Sequence, residues 1–388
     1  MGSLSMTKPA FSLSCFCMLL LSYATVMNPV SALEKCDFPA IVNFGDSNSD
    51  TGGLAAAFSW TTPPNGENYF HMPAGRLSDG RLMIDFIAAS FGHPFLSAYL
   101  NSLGSNFSHG ANFATSASTI TPPLSIIPLG SFSPFFLDVQ YLQFRQFKNR
   151  SQIIKKTGAI YKDLLPDEDY FGKALYTFDI GQNDLGQGFF GDMSLEEVNA
   201  SVPDIVSWFS SNVENIYNLG ARSFWIHNTG PIGCLPYILA SFPLTTAQKD
   251  SAGCAKPYNE VAKYFNYKLK EAIVHLRKIL PLAAITYVDV YSVKYSLFTE
   301  PQKHGFELPL VACCGFGGRY NYGGGGCGSN VTVNGSEIFV GSCKQPSIRV
   351  VWDGIHYTEA ANKFVYNKIA TGAFSDPPIP LKMACHKK

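Results

Sequence analysis

Charge is scarce in this sequence. Asp, Glu, Lys and Arg make up 15% of its 388 residues, 29 basic against 29 acidic, and no run of Lys or Arg exceeds two. Nucleic acids and anionic membrane surfaces are bound by basic patches, so neither is expected as a partner. A stretch of ~20 apolar residues, the minimum for spanning a bilayer, is missing beyond the N-terminal segment, and no stable membrane insertion is expected. The elbow G-x-S-x-G is missing throughout, which excludes that way of presenting a serine nucleophile. The glycine run 323–326 has no following Lys-Ser/Thr and makes no phosphate loop. Met6 stands where an N-terminal myristoylation signal needs Ser or Thr.

Apolar residues are plentiful, at 46% hydrophobic and 14% aromatic, enough to bury a large core. The N-terminus carries Lys8, a mostly apolar stretch over 11–26, and the small-residue site Val30-Ser31-Ala32. We read residues 1–32 as a signal peptide removed after Ala32 and residues 33–388 as one secreted domain. The destination is extracellular or apoplastic, with the vacuole as the other possibility. A retained signal anchor is the alternative, against which stand the Ser and Thr that interrupt the run and the good cleavage site.

Cys15 and Cys17 would leave with that segment. Cys36, Cys234, Cys254, Cys313, Cys314, Cys327, Cys343 and Cys385 remain, an even set that reads as disulfides of open pairing. A zinc site among the Cys313, Cys314, Cys327 and Cys343 group is disfavoured, because the spacing fits no common zinc pattern. Sequons at Asn106, Asn149, Asn199, Asn330 and Asn334 are the glycosylation candidates.

From Phe38 onward, short apolar runs alternate with longer segments of helical period. That is the pattern of a parallel sheet covered on both faces, an α/β fold in three layers, α/β/α. Strands are predicted over 39–44, 173–180, 222–227 and 284–290. Helices are predicted over 80–91, 135–147, 258–280 and 357–370, with one more opened by Ser201-Val202-Pro203 and closed by Gly220. Residues 115–134 are too rich in Ser and Pro to be regular, and 304–345 form a cysteine-bearing insertion whose glycine run turns between disulfides. No repeat or linker divides the chain. In such a sheet, ligands bind beyond the carboxyl ends of the strands. Three of those ends carry polar clusters that would share one rim: Gly45-Asp46-Ser47-Asn48, Gly181-Gln182-Asn183-Asp184 and Asn228-Thr229-Gly230-Pro231.

A serine nucleophile needs a base, an orienter for the base, and donors for the oxyanion. Ser47 follows a strand at once, which would lift its hydroxyl onto the rim. Taken alone that is a weak signal, since Ser in a polar turn is ordinary. His356 sits three residues after Asp353, across Gly354, so the carboxylate can curl back to Nδ1 and leave Nε2 for a nucleophile. A surface Asp–His pair is the bland counterpart. His71, His93, His109, His227, His275, His304 and His386 have no evident carboxylate partner nearby in sequence. Asn183 could donate its side-chain amide, and taken alone is only a turn residue.

Phe44-Gly45-Asp46-Ser47, Asn112-Phe113-Ala114, Gly181-Gln182-Asn183-Asp184 and Asp353-Gly354-Ile355-His356 together resemble, in order and context, the four blocks of the plant GDSL esterase/lipase family of SGNH hydrolases. The match runs over about 36–385, and the segments 48–53, 313–322 and 353–363 look most like the early-nodulin-like branch, which includes proteins described as esterases and as fucosidases. The resemblance implies an SGNH-hydrolase, flavodoxin-like single domain. It implies Ser47 as nucleophile, His356 as base, Asp353 as its orienter, and an oxyanion hole from the Ser47 and Ala117 backbone N–H groups and the Asn183 side chain. No metal or organic cofactor is required, the partner is a small-molecule ester, and oligomeric state is not legible. Asn48 stands where the family name has Leu, and Ala117 where members usually have Gly. A backbone N–H survives that change, but a positive φ would be strained, and Ala117 is expected to donate still. The same residues would serve an acyltransferase. A glycan-binding homologue and a fucosidase fit less well, the latter because glycoside hydrolysis usually needs two positioned carboxylates. Selectivity is expected in 58–75, 115–134 and 184–200.

Overall fold

The structure, a computed structural model, describes residues 1–4 and 35–386 apart from 60, 128, 130 and 159. Most of the expected signal peptide lies outside them. Asp37 onward folds as one unit.

Its centre is a six-stranded sheet. The strands are β1 (Ile41–Gly45), β2 (Gly110–Asn112), β3 (Leu175–Asp179), β4 (Ser223–His227), β5 (Ala284–Val288) and, after a separate β6–β7 hairpin (Asn330–Val333, Ser336–Phe339), β8 (Ser375–Asp376). The order is β2-β1-β3-β4-β5-β8, parallel except for β8. The sequences IVNFG, LYTFD and SFWIH are buried at every position. Strands covered by helices on both faces read that way, as near-continuous apolar runs. Phe44 anchors β1 in a cluster of rings, 5.1 Å from Phe178, 5.5 Å from Phe113 and 5.7 Å from Phe144 of the helix Leu137–Lys156.

Three expectations need correcting. The helix expected to open at Ser201 starts at Leu195 and carries Pro203 inside it. Ser194 and Glu197 cap one another there, Glu197 N to Ser194 Oγ at 3.2 Å and Ser194 N to Glu197 Oε2 at 2.8 Å. That box nucleates the helix two turns before the proline. The last helix starts at Glu359 rather than 357, because Thr358 caps it and Tyr357 is taken up by a bridge to Val351. β2, β8 and the hairpin have no counterpart among the expected strands. The described residues of 115–134 hold no helix or strand, as expected.

Cys234–Cys254, Cys313–Cys343 and Cys314–Cys327 are disulfides, and Cys36 and Cys385 are disulfide-bonded too. Both bridges of the 304–345 insertion pack against the buried indole of Trp352. Among the described residues no helix is long and apolar enough to cross a membrane.

Candidate active site

Ser47 lies two residues past β1 and is 6% exposed. The end of that strand is held by the buried amide of Gln140, whose Nε2 donates to Gly45 O at 2.8 Å while its Oε1 accepts from Gly45 N at 3.0 Å. Beneath the turn, Asn43 donates to Asn112 Oδ1 at 2.7 Å and accepts from Thr177 Oγ1 at 2.7 Å, tying β1 to β2 and β3. The following segment has a structural task that its sequence does not announce. Asp50, buried, accepts from Gly52 N at 2.8 Å and reaches across to Ser116 N at 2.7 Å and Ser116 Oγ at 2.9 Å. The turn after β1 is thereby locked to the loop carrying Ala117.

Asp353 and His356 form a closed loop. Trp352 N donates to His356 O at 2.7 Å, and Gly354, at φ +99°, allows the reversal. Asp353 Oδ1 accepts from Ile355 N at 3.0 Å and His356 N at 2.9 Å, which leaves Oδ2 to receive His356 Nδ1 at 2.6 Å. The insertion braces this loop: Cys313 N donates to Val351 O at 3.0 Å and Cys314 N to Trp352 O at 2.7 Å. Burial would drive the proton off His356, but the charge and hydrogen bond of Asp353 outweigh it and hold its pKa above the ordinary imidazole value. Asp353 is correspondingly held below the usual carboxylate range, its own burial penalty overcome by His356.

Asn183 is in the first turn of the helix Gln182–Phe190, and its Nδ2 donates to Ser118 O at 2.9 Å. One amide hydrogen is used in that bond and the other remains for a ligand. Its neighbour Asp184 fastens the same loop, accepting from Ile120 N at 2.8 Å and Thr121 Oγ1 at 3.0 Å. Burial pushes that carboxyl up to about 6 all the same. Between them Ala117 adopts φ +63°, the left-handed conformation that the sequence comparison with glycine anticipates. Among the described residues, neither Ser47 N nor Ala117 N is bonded to another group of the protein. Ala117→Gly is expected to raise stability by about 0.5–1 kcal/mol, since glycine occupies this conformation without the Cβ penalty. It should change kcat by less than about tenfold, because the donor is unaltered. Thermal melting beside p-nitrophenyl ester kinetics checks both.

Ser47, Ala117, Asn183 and His356 all line one cavity of about 360 Å³. Its walls include Leu54, Leu77, Phe132, Phe190 and Ile355, and among the described residues no Asp, Glu, Lys or Arg side chain lines it. Ser116 to Ala117, Ser131 and Phe132 come from the 115–134 loop. Of the 184–200 segment, Gly186 and Phe190 line it from a helix rather than a loop, and the described residues of 58–75 supply none of the lining.

One histidine has a carboxylate partner that its sequence neighbourhood did not reveal: His227 Nδ1 meets Asp179 Oδ2 at 3.0 Å across adjacent strand ends. His304 Nε2 lies 3.9 Å from Glu300, four residues before it. Of the sequon residues, Asn106, Asn149, Asn330 and Asn334 are exposed, whereas Asn199 is half-buried with its Oδ1 enclosed.

Comparison with known proteins gives the family. The profile of the GDSL-like lipase/acylhydrolase family matches residues 41–369. An esterase of Hevea brasiliensis is 64% identical over 384 residues, 98% of this chain and 95% of that protein. The GDSL esterase/lipase ENOD8 of Medicago truncatula is 60% identical, covering 95% of this chain and 96% of its own. Alpha-L-fucosidase 3 of Arabidopsis thaliana is 55% identical, covering 91% and 95%. Four blocks in register around one apolar cavity, and a family profile spanning most of the sequence, lead to one conclusion: the chain belongs to the GDSL-like lipase/acylhydrolase family.

Proposed function

We propose that this GDSL ester hydrolase is a secreted serine esterase that cleaves neutral carboxylic esters by two-step acyl transfer. The observation that carries the reading is the single cavity into which Ser47, the Asp353-oriented His356, and the donors of Ala117 and Asn183 all open. Ser47 Oγ attacks the ester carbonyl while its proton passes to His356 Nε2. The tetrahedral oxyanion is held by Ser47 N, Ala117 N and Asn183 Nδ2. Collapse breaks the bond to the alcohol oxygen, which takes the proton from Nε2. Water then repeats the sequence, its proton going to Nε2 and on to Ser47 as the acid leaves.

The apolar walls and the lack of charged lining suit an uncharged acyl group on a lipid, sugar or plant metabolite. They do not suit glycoside hydrolysis, for which two carboxylates must face the substrate. The disulfides fit an extracellular setting. To test the reading, the purified protein is mixed with p-nitrophenyl butyrate, quenched with acid within a turnover and digested. A butyryl group on the peptide containing Ser47 is expected, and a burst of p-nitrophenol with no such adduct would refute it. Adding alcohols reports whether the acyl-enzyme also partitions to a new ester.

Asn183→Ala is expected to lower kcat by about 10²–10³ with a smaller change in KM, because its hydrogen bond strengthens only as the oxyanion forms. Steady-state kinetics with the same ester would show instead a KM effect alone if Asn183 served only to bind.

A further inference from the structure

Beneath the cavity the strand ends carry a second polar layer that acyl transfer does not use. Asp46 follows β1, Asp179 ends β3 and His227 ends β4, at 1%, 7% and 4% exposure. Asp46 N donates to Asp179 O at 3.0 Å, and Asp179 Oδ2 pairs with His227 Nδ1. From the helix Val290–Thr299 comes Lys294, only 2% exposed. Its ammonium makes no ion pair among the described residues and stands 4.6 Å from the centre of the Tyr357 ring. Gly230 leaves it room, since a Cβ there would be 3.0 Å from Lys294 Cδ and 3.5 Å from Tyr357 Oη. Asp46 Oδ2, His227 Nε2 and Tyr357 Oη are buried without hydrogen-bond partners among the described residues.

A buried ammonium without a touching carboxylate is a poor way to stabilise a fold, and an apolar side chain of similar shape would serve better. The charge has another use, visible in what surrounds it. Lys294 is faced by Asp179 and Asp46 from the strand ends, with Tyr357 under its head. Burial lowers its pKa, and those two carboxylates oppose the fall. Burial and then the charge of Asp179 push Asp46 up to about 7, against the hydrogen bonds from Asn48. Besides Asp353, the charged groups acting on His356 are Asp46, which favours its proton, and Lys294, which disfavours it. Tyr237 and Tyr322 share its cavity.

We infer that Lys294 is a positioning residue for ester hydrolysis: its buried ammonium is the counter-charge to Asp46 and Asp179, and this layer governs the pH at which His356 is free to take the Ser47 proton. The inference rests on the serine-esterase reading. Its sign follows from the geometry. Removing the ammonium relieves a repulsion on the imidazolium, so His356 keeps its proton to higher pH and the acid limb of kcat/KM moves up. Removing the Asp46 charge takes away an attraction, and the limb moves down.

The test is the pH profile of kcat/KM for p-nitrophenyl acetate with wild type, Lys294→Met, Lys294→Arg and Asp46→Asn, with Ser47→Ala as control. The acid limb is expected to move up by about 0.3–0.5 pH unit in Lys294→Met and down by less in Asp46→Asn, because Asp46, pushed up to about 7, is already part-protonated over that limb. Lys294→Arg should restore its position even where the rate is lower. Rates that fall in both Lys294→Met and Asp46→Asn while the limb stays put would mean that the layer is merely structural, and would overturn the inference. Should Lys294→Met not melt cooperatively, Lys294→Gln takes its place, and a limb that stays or moves down counts against the proposal. An inactive Ser47→Ala with unmoved limbs condemns only the role of Lys294, whereas an active Ser47→Ala condemns the serine mechanism itself.

Discussion

Ser47→Ala should lower kcat for p-nitrophenyl acetate by about four to six orders of magnitude, leaving only what the cavity and its oxyanion donors achieve with water. The size of the fall follows from the loss of the covalent route. Ser116 lines the cavity too, but its Oγ is bound to Asp50 at 2.9 Å. Removing one hydroxyl from a turn held by Gln140, Asn43 and Asp50 should change stability by under ~1 kcal/mol, so the protein remains comparable in every other respect. The diagnostic result is non-additivity. His356→Ala alone should cost a similar factor, and the double variant Ser47→Ala/His356→Ala no more than either, because nucleophile and base act as a unit. Penalties that multiplied would show the two residues to be working independently. Equal rates for wild type and Ser47→Ala would eliminate the serine mechanism.

Much of this site is legible in the sequence because its parts are local clusters. Gly45-Asp46-Ser47 ends an apolar run, and Asp353 and His356 are close enough to pair within one loop. The parallel strands are legible for a related reason: β1, β3 and β4 are buried on both faces and read as unbroken apolar words. What holds the clusters in place is not legible, since it consists of contacts between distant residues. Asp50 meets Ser116 across 66 positions, Gln140 meets Gly45 across 95, and Asp179 meets His227 across 48. Each of these polar residues, taken alone, is an ordinary turn or helix-surface residue. β2 escaped for a different reason, having only Gly110, Ala111 and Asn112 with which to signal a strand. The helix begun at Leu195 shows two local signals in competition, and the capping box prevailed over the proline because it acts at the nucleus.

Asp353→Asn should lower kcat by about 10⁴, far more than the loss of one hydrogen bond, and the cause lies in the backbone of the loop. Two main-chain donors, Ile355 N and His356 N, both point at Oδ1, at 3.0 and 2.9 Å. An asparagine in this position must turn its carbonyl oxygen toward them, since its NH₂ would leave both without an acceptor. The NH₂ then takes the place of Oδ2 against His356 Nδ1, where a donor now meets the ring. Nδ1 is forced to be the acceptor, the proton moves to Nε2, and the atom facing Ser47 can no longer accept one. The pH profile separates this from simple loss of packing. With the Asp353 charge gone, burial of the ring prevails and the His356 pKa falls, so the acid limb of the residual activity should move to lower pH. Asp353→Glu keeps the charge and, where the longer side chain can still reach Nδ1, should recover more activity than the isosteric amide. A variant series in which Asp353→Asn retained more than about a tenth of the wild-type kcat would mean that His356 is oriented by something other than this carboxylate.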